Sequence, residues 1–339
     1  MRLAIWLNRL TASNASVAVL ELVPALRARG LQVAVLGRPG SLAGLFEEAG
    51  AEVLLAGFGS WADRLIALHR LREFRPDVVW TLGEKVLAVA SHVMAHLDAL
   101  FVHHLLLTDE PEVKWEGRRP DCFLAWWLVL CERARERGLK CQDVRVGVRV
   151  RRGELDGDKY TVLVYDCEPE NYLYLVSVAC RAAAHLAAAF QQPVELVCVR
   201  PVSDASEEWP EEGVGQLGEG LVRMRRVGLR AALRELGRYH AAFAWSYGAL
   251  QAFGAGVPVY CGHPGGVGVG PLTRRGLFMG MTLWPLQDRS GVGVGEEEWL
   301  AEVVRCTEQD REAQRLDAEE LLSLDACAEK LVMVFSGLT

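Results

Sequence analysis

Short, nearly continuous apolar runs alternate with helix-length segments along the first half of this chain. The runs are Leu3–Leu7, Val33–Leu36, Glu52–Leu55, Pro76–Trp80 and Ala99–Leu107. The segments between them place apolar residues at helical spacing, and Gly30 and Gly50 stand where helices commonly end. Buried strands separated by helices are typical of a parallel sheet that is covered on both faces. The pattern therefore predicts an α/β fold.

The charged stretch Arg149–Asp158 interrupts this alternation near the middle of the 339 residues, and Tyr160–Tyr165 then begins the same pattern again. Further strands are predicted over Val194–Val199, Ala241–Trp245 and Val257–Tyr260. We therefore expect two tandem doubly wound, Rossmann-like domains, over residues 1–150 and 151–322, and a closing C-terminal helix over residues 323–339. In such a pair the ligand binds at the carboxyl ends of the strands, in an interdomain cleft.

Two regions are less regular. A strand is expected over Leu124–Leu130, followed by a charged helix over Glu132–Arg137. In the second domain, Val202–Gly220 carries proline, glycine and acidic residues and is predicted to be a surface loop. An arginine cluster follows this loop and stands just before a predicted helix: Arg223, Arg225 and Arg226.

Composition and charge restrict the classes of partner. The formal net charge of −7 provides no overall basic field for nucleic acid or an anionic membrane, although a local basic groove stays open. No apolar stretch approaches the ~20 residues of a membrane span, and the apolar start is too short for a signal peptide. The nine cysteines form no C-x-x-C pair, which favours reduced thiols and a cytoplasmic location. Peripheral membrane contact is left open.

Seven stretches, in order along nearly the whole chain, carry a likeness to a known family. They are Leu20–Val33, Pro39–Ala43, Glu48–Val53, Arg75–Val79, Ala249–Val259, Gly265–Gly266 and Leu324–Phe335. Together they resemble the GT-B glycosyltransferases, specifically the retaining family-four (glycosyltransferase group 1) enzymes. The resemblance implies a first domain that binds the acceptor and a second that binds a nucleotide-sugar donor. It also implies that no metal is needed, and that the donor is a UDP- or GDP-sugar substrate, with no tightly bound cofactor.

The motifs that hold the donor in that family are altered here. Where the family has a basic pair for the diphosphate, after the first strand of the second domain, this chain has Asp166, Glu168 and Glu170. Carboxylates at that place repel a diphosphate in a partly desolvated cleft. The family's two donor-site glutamates align with Phe243, which makes no polar contact, and with Gln251, which can hydrogen-bond a hydroxyl. A retaining mechanism is therefore implied by the resemblance and not by these residues.

The glycine-rich stretch Gly262–Gly270 is the strongest candidate for donor binding, because glycines let backbone amides approach a ligand closely. Within it, His263 either donates to a phosphate or is an ordinary loop residue. Arginines of the second domain either replace the missing cations or form a solvated basic turn. The residues predicted to bind the donor are Gly265, Gly266, His263, Ser246, Gln251, Arg225 and Arg226.

Two further groups have both a functional and a structural interpretation. Ser13, Asn14 and Ser16 follow the first strand, where they offer donors to a phosphate or cap a helix. His103 and His104 close an apolar stretch of the first domain and are the candidate catalytic, acceptor-side base; the alternative is a structural role for one of them. Their spacing to nearby carboxylates matches no metal signature, and so no metal site is predicted.

Three functions stay open. The first, which we favour, is an enzyme that transfers a sugar from a nucleotide-sugar to an unknown acceptor. The second is a catalytically silent GT-B-like protein that binds a protein partner, a glycan or a nucleotide; the acidic sequence after the strand and Phe243 support it. The third is a nucleotide-sugar epimerase, which shares the fold. Because a fold alone does not establish an activity, the cations that face the diphosphate are the discriminating feature.

Overall fold

The computed structural model describes residues 1–106, 117–155, 160–165, 169–199, 216–217, 222–261, 270–274 and 296–338. The chain divides into two compact units. Unit 1 contains Met1–Thr11, Ala15–Gly147 and Leu324–Thr339, and unit 2 contains Ala12–Asn14 and Val148–Ser323. The C-terminal segment therefore belongs to the unit that the start of the chain builds.

Unit 1 is built on one parallel sheet of seven strands. The strands are β1 (Arg2–Arg9), β2 (Gln32–Arg38), β3 (Glu52–Leu55), β4 (Val78–Leu82), β5 (Leu100–Leu105), β6 (Cys122–Ala125) and β7 (Cys141–Asp143). They lie in the order β3-β2-β1-β4-β5-β6-β7, and every neighbouring pair is parallel. The helices between them are α1 (Asn14–Ala28), α2 (Ala43–Glu48), α3 (Trp61–Phe74), α4 (Glu84–Met94) and α5 (Leu128–Glu136).

Strands β1 and β4 form the centre of this sheet and are buried on both faces. Trp6 and Trp80 are fully buried, and Ile5 pairs in register with Trp80. A parallel strand covered on both faces is apolar at nearly every position. This is why the apolar runs of the sequence locate these strands correctly.

Unit 2 repeats the plan. Its strands are β8 (Tyr160–Tyr165), β9 (Val194–Val199), β10 (Gln216–Leu217), β11 (Val222–Val227), β12 (Ala241–Ala244), β13 (Val259–Cys261) and β14 (Gly270–Pro271). Their order is β10-β11-β9-β8-β12-β13-β14, with antiparallel pairing only at the edge strands β10 and β14. Its helices are α6 (Pro169–Phe190), α7 (Leu229–Glu235), α8 (Ser246–Gly254), α9 (Glu296–Arg305) and α10 (Glu308–Leu322). The last helix, α11 (Leu324–Ser336), belongs to unit 1. No helix in the described part of the chain has both the length and the apolar character that crossing a membrane requires.

In both sheets the strand order reverses once. In unit 1 the chain moves outward from β1 to β2 and β3, then returns to the other side of β1 with β4. In unit 2 it moves outward from β8 to β9 and β11, then returns beside β8 with β12. This doubly wound order confirms the two Rossmann-like sheets that the sequence predicts. Ligands of such sheets bind outside the carboxyl ends of the strands where the order reverses.

Several elements differ from the sequence prediction. The strand expected over Leu124–Leu130 is shorter, because β6 ends at Ala125 and α5 begins at Leu128. Helix α4 and strand β7 are not predicted by the apolar pattern. The arginine cluster is not a turn, since it lies on β11, which pairs along its length with β9. Only Val222 of β11 is fully buried. A half-exposed strand tolerates arginines, and so β11 has no apolar run by which the sequence could predict it.

Candidate functional site

The carboxyl ends of β8 and β12 meet in unit 2 at the point where the strand order reverses. β8 ends at Tyr165 and β12 at Ala244, and these two residues are paired in register. Helix α8 begins two residues after β12, at Ser246. The first turn of a helix presents free N–H groups and a partial positive charge. We therefore take this edge of the sheet as the candidate site.

Ser246, the first residue of α8, has a left-handed backbone with φ of 53°. Residues other than glycine rarely adopt this conformation, which costs about 1–3 kcal/mol. Two other non-glycine residues of the described chain have positive φ, Arg75 and Gln191, and each directly follows the last residue of a helix. Left-handed residues are common at that place. Ser246 instead begins a helix at the end of a buried strand, and strain at such a position is typical of a binding or catalytic site.

A hydrogen bond between two buried side chains links β8 to α8. The Tyr165 hydroxyl donates to Oε1 of Gln251 over 2.8 Å, and the two residues are 1% and 0% exposed. Because the oxygen of the amide faces the hydroxyl, its NH2 group points elsewhere. Nε2 of Gln251 has no hydrogen-bond partner among the residues that the structure describes. A buried unpaired donor costs about 1–3 kcal/mol, which a ligand oxygen would remove.

Gly248 lets the tyrosine lie against α8. A Cβ at this position would stand 3.0 Å from Cδ1 and 3.2 Å from Cε1 of Tyr165. Contacts this short would displace the ring and its bond to Gln251. Neither Tyr165 nor Gly248 stands out in the sequence, because Tyr165 ends an apolar strand and Gly248 lies inside a helix. Only their approach in space gives them a place beside Gln251.

Phe243 belongs to the core of unit 2. Its ring is fully buried and packs against Tyr260 and, edge to face, against Trp299, with centroids 5.7 Å and 5.2 Å away. Phe243, which aligns with one of the family's donor-site glutamates, is therefore a core residue.

The arginines predicted to replace the missing cations lie on β11, which is separated from β8 by β9. Arg225 pairs with Glu195 of β9 over 3.4 Å and with Glu235 of α7 over 3.7 Å. These two carboxylates offset its charge. Arg226, the next residue of the strand, is partly buried. A donor contact by Arg225 or Arg226 stays a prediction.

Ser13, Asn14 and Ser16 lie at the start of α1, which begins at Asn14. Ser16 is buried, and its hydroxyl donates to the carbonyl oxygen of Arg9, at the end of β1, over 3.3 Å. This bond ties the helix to the strand and occupies the hydroxyl that the sequence offers to a phosphate. Phosphate binding by Ser13 and Asn14 stays a prediction.

His103 and His104 are fully buried near the end of β5. Nδ1 of His103 lies 2.9 Å from Oγ1 of Thr81 on the adjacent strand β4. The His104 ring contacts Trp126 and Trp80, with ring centroids 4.5 Å and 5.7 Å away, and its ring nitrogens have no hydrogen-bond partner in the described chain. Burial lowers the pKa of His103 to about 3, and it lowers the pKa of His104 well below its ordinary value. Both rings are therefore neutral near pH 7.

This burial favours the structural interpretation of the two histidines. A base that takes a proton from an acceptor must be reached by that acceptor, and neither ring is exposed in this structure. Their catalytic role stays a prediction, and the structure provides no support for it.

In His104→Phe, we expect the free energy of unfolding to fall less steeply at acid pH than it does in the wild type. At pH values between the lowered folded pKa of His104 and its unfolded pKa of about 6.5, this histidine binds its proton only in the unfolded chain. The free energy of unfolding therefore falls as the pH falls below about 6.5. Phenylalanine removes one such group. Below about pH 6.5, this fall should shrink by up to about 1.4 kcal/mol per pH unit, as measured by urea unfolding at a series of pH values.

Near pH 7, the same variant should be at least as stable as the wild type, because a buried polar ring with no hydrogen-bond partner among the described residues is replaced by an apolar one. An unchanged slope in His104→Phe would contradict a buried neutral ring at this position.

The other predicted donor residues, Gly265, Gly266 and His263, lie outside the described residues, as do Asp166 and Glu168. Their part in binding stays a prediction. Within the described ranges, no group of three or more His, Cys, Asp or Glu residues is arranged to hold a metal ion.

Proteins of known structure share this architecture over nearly their whole length. HepE from Anabaena, in complex with UDP-glucose, matches with a TM-score of 0.63 and 13% identity, over 99% of this chain and 100% of that chain. Sucrose-phosphate synthase from Thermosynechococcus elongatus matches with 0.62 and 14%, over 100% and 99%. UDP-GlcNAc 2-epimerase from Methanocaldococcus jannaschii matches with 0.59 and 13%, over 99% and 100%. The chain has a GT-B fold.

At identities this low, the likeness establishes the GT-B fold and not an activity. No protein-family model matches the chain, and comparison with curated proteins finds no match. The GT-B neighbours include both transferases and epimerases. The expected GT-B fold is therefore confirmed, whereas membership of family four stays a prediction.

Proposed function

We propose that this GT-B chain is a nucleotide-sugar enzyme and that it transfers a sugar from a UDP-sugar to an unknown acceptor. The observation that carries the proposal is helix α8 of unit 2, which begins at the strained residue Ser246 and carries Gln251, a fully buried amide whose NH2 group has no partner among the described residues. A buried donor of this kind suits a ligand that supplies an oxygen. UDP and UDP-glucose are the ligands named for several GT-B neighbours, which directs the proposal to uridine nucleotides before GDP-sugars.

In this proposal the diphosphate lies at the start of α8, where backbone N–H groups and the helix dipole attract negative charge. Nε2 of Gln251 donates to a ribose hydroxyl of the nucleotide, a contact that UDP alone also makes. Gly265 and Gly266 add backbone amides, and His263 and Arg226 add side-chain donors. Unit 1 binds the acceptor. We assign no residue as the base that takes the acceptor's proton, because His103 and His104 are buried.

Two arginines of unit 2 are already paired with carboxylates, and this pairing supports a second function, in which the protein binds a nucleotide but catalyses no reaction. Arg225 is offset by two carboxylates, and Arg274, three residues after β14, is hydrogen-bonded to Asp317 and Glu320 of α10. A leaving diphosphate then depends chiefly on backbone dipoles for its stabilisation. Binding survives such a loss more readily than catalysis does, because only catalysis must stabilise the charge that develops in the transition state.

Thermal-shift binding tests the proposal. We expect UDP and at least one UDP-sugar to raise the melting temperature without added metal, because a ligand at 100 times its Kd stabilises the native state by about 2.7 kcal/mol. For a unit of this size that is a shift of several degrees. GDP and ADP at the same concentration are the controls. A folded sample that responds to no uridine nucleotide would overturn nucleotide-sugar binding.

Product analysis separates the three functions. The epimerase alternative is favoured by one observation, which is that UDP-GlcNAc 2-epimerases match the fold about as well as the transferases do. If the chain is an epimerase, proton NMR of UDP-GlcNAc incubated with the protein and no acceptor should show that the configuration at C2 of the sugar is inverted. A transferase instead releases UDP at a rate that rises with an added acceptor. Binding with neither reaction identifies the silent protein.

A further inference from the structure

Helix α3 of unit 1 exposes an apolar surface at its beginning. Trp61 is 74% exposed, Leu65 is 44% exposed and Ile66 is 45% exposed; we call these three residues the α3 patch. Leu55, at the end of the preceding strand β3, is 45% exposed. These are four of the eight large apolar residues that are exposed in the described chain, and they fall within twelve consecutive positions. Apolar exposure concentrated in this way marks an interaction site, whereas single exposed residues need no explanation.

The core of unit 1 does not account for the patch. The inward face of α3 is already formed by buried residues, which are Ala67, Leu68, Leu71 and Phe74. Trp61 and Leu65 are one turn apart and therefore lie on the same side of the helix. Apolar residues thus occupy both the inward face and the outward start of α3.

The start of α3 is held rigidly by a capping box. The Ser60 hydroxyl accepts the N–H of Asp63 over 3.1 Å, and Oδ2 of Asp63 accepts the N–H groups of Gly59 and Ser60, each over 2.9 Å. These bonds engage the negative charge of Asp63 with the backbone. Trp61 therefore projects from a fixed helix start, and a rigid apolar anchor loses little conformational entropy when it binds.

The charge along α3 is opposite in sign to that of the whole chain. Ser60–Arg75 contains four arginines and two carboxylates, whereas the chain has a net charge of −7. One carboxylate belongs to the capping box, and the other, Glu73, pairs with His69 over 3.4 Å and with Arg70 over 3.3 Å. Arg38, at the end of β2, adds a cation near the helix start. Cations therefore outnumber carboxylates along the helix that carries the α3 patch.

We propose that the α3 patch docks on the surface of an anionic lipid bilayer. Tryptophan and aliphatic side chains beside arginines are the composition of helices that lie in a membrane interface, where the cations attract acidic headgroups. A second copy of the chain fits less well. The patch and Leu55 together expose on the order of 400 Å², about half of the ~800 Å² that each partner buries in a standard interface. This surface is independent of the reaction proposed for unit 2.

Vesicle co-sedimentation of the full chain tests the proposal. We expect more protein to sediment with mixed phosphatidylglycerol–phosphatidylcholine vesicles than with phosphatidylcholine alone, and this difference to shrink at high salt. In the double variant Trp61→Ser/Leu65→Ser, we expect the partition coefficient on the mixed vesicles to fall at least about tenfold, because two of the three apolar anchors are lost.

Leu316→Ser is the matched control, because Leu316 is 55% exposed on a helix of unit 2 and lies outside the patch. It should bind vesicles as the wild type does. The double variant should keep the wild-type circular dichroism and melting temperature, since its two positions are exposed. Equal vesicle binding by the wild type and the double variant would overturn the proposal. So would a concentration-dependent dimer, seen by size-exclusion chromatography and lost in the double variant, without any vesicle binding; that result would assign the patch to a second copy.

Discussion

Arg311→Ala is expected to lower the free energy of unfolding of unit 2 by about 3–5 kcal/mol. Arg311 of α10 is 1% exposed, and its guanidinium donates to the carbonyl oxygens of Tyr239 over 3.0 Å and Gly237 over 2.7 Å. Alanine deprives both buried carbonyls of these donors and leaves a cavity where the side chain lay. Urea unfolding, analysed with one transition for each unit, measures the loss.

Two further variants identify the cause. Arg311→Met restores most of the volume but neither hydrogen bond, so it should recover only the part of the loss that the cavity causes. Arg152→Ala removes an arginine that is 67% exposed and bonded to Glu312, and it should change stability by less than about 0.5–1 kcal/mol. If Arg311→Ala were as mild as Arg152→Ala, the two carbonyl bonds would not be important for unit 2.

The same contact connects stability to the candidate site. Gly237 and Tyr239 lie just before β12, the strand that leads to Ser246. Arg311 therefore holds α10 against the residues just before β12, the strand that Ser246 follows. We expect uridine nucleotide binding to be weaker in Arg311→Ala only to the extent that unit 2 is unfolded.

Gln251→Leu is expected to weaken uridine nucleotide binding about 10- to 100-fold while changing the stability of the free protein little. One hydrogen bond to a ligand, lost from a site built to make it, corresponds to this range. Leucine has a similar size, and it removes the buried N–H group that has no partner in the described chain. The Tyr165 hydroxyl loses its acceptor at the same time, and these two effects on stability oppose each other. Isothermal titration with UDP measures the affinity, and urea unfolding measures the stability.

Gln314→Leu is the matched control in the same unit. The Gln314 amide donates to the carbonyl oxygens of Phe253 over 3.0 Å and Val257 over 2.7 Å, and so it has a structural role against the end of α8. Its loss should reduce stability by about 1–3 kcal/mol and leave the affinity for UDP unchanged. If Gln251→Leu behaved in the same way, with lower stability and wild-type affinity, Gln251 would be a core residue and not a ligand of the donor.

His103 and His104 have a place in the fold that the sequence pattern determines only in part. Their place at the end of an apolar run correctly predicts a strand end, and strand ends are where catalytic residues often stand. The same run also predicts burial, and the run alone does not say at which residue the burial stops. Packing against Trp80, Trp126 and Thr81 decides it, because those contacts come from β4 and from the residue after β6.

The sequence by itself determined the α/β class, the two doubly wound sheets and most of the strands of this protein. It did so because a parallel strand buried on both faces must be apolar along its length, and this property is local. Strand β11 was not predicted, because it is only partly buried and its arginines interrupt the apolar run.

Only the tertiary structure decided what the polar residues do. The bond from Tyr165 to Gln251, the pairing of Arg225 with Glu195 and the hold of Arg311 on Gly237 each join residues far apart in the chain. The strain at Ser246 also arises where a buried strand turns into a helix. Hydrogen bonds and ion pairs depend on the register and approach of distant elements, which composition and periodicity do not contain.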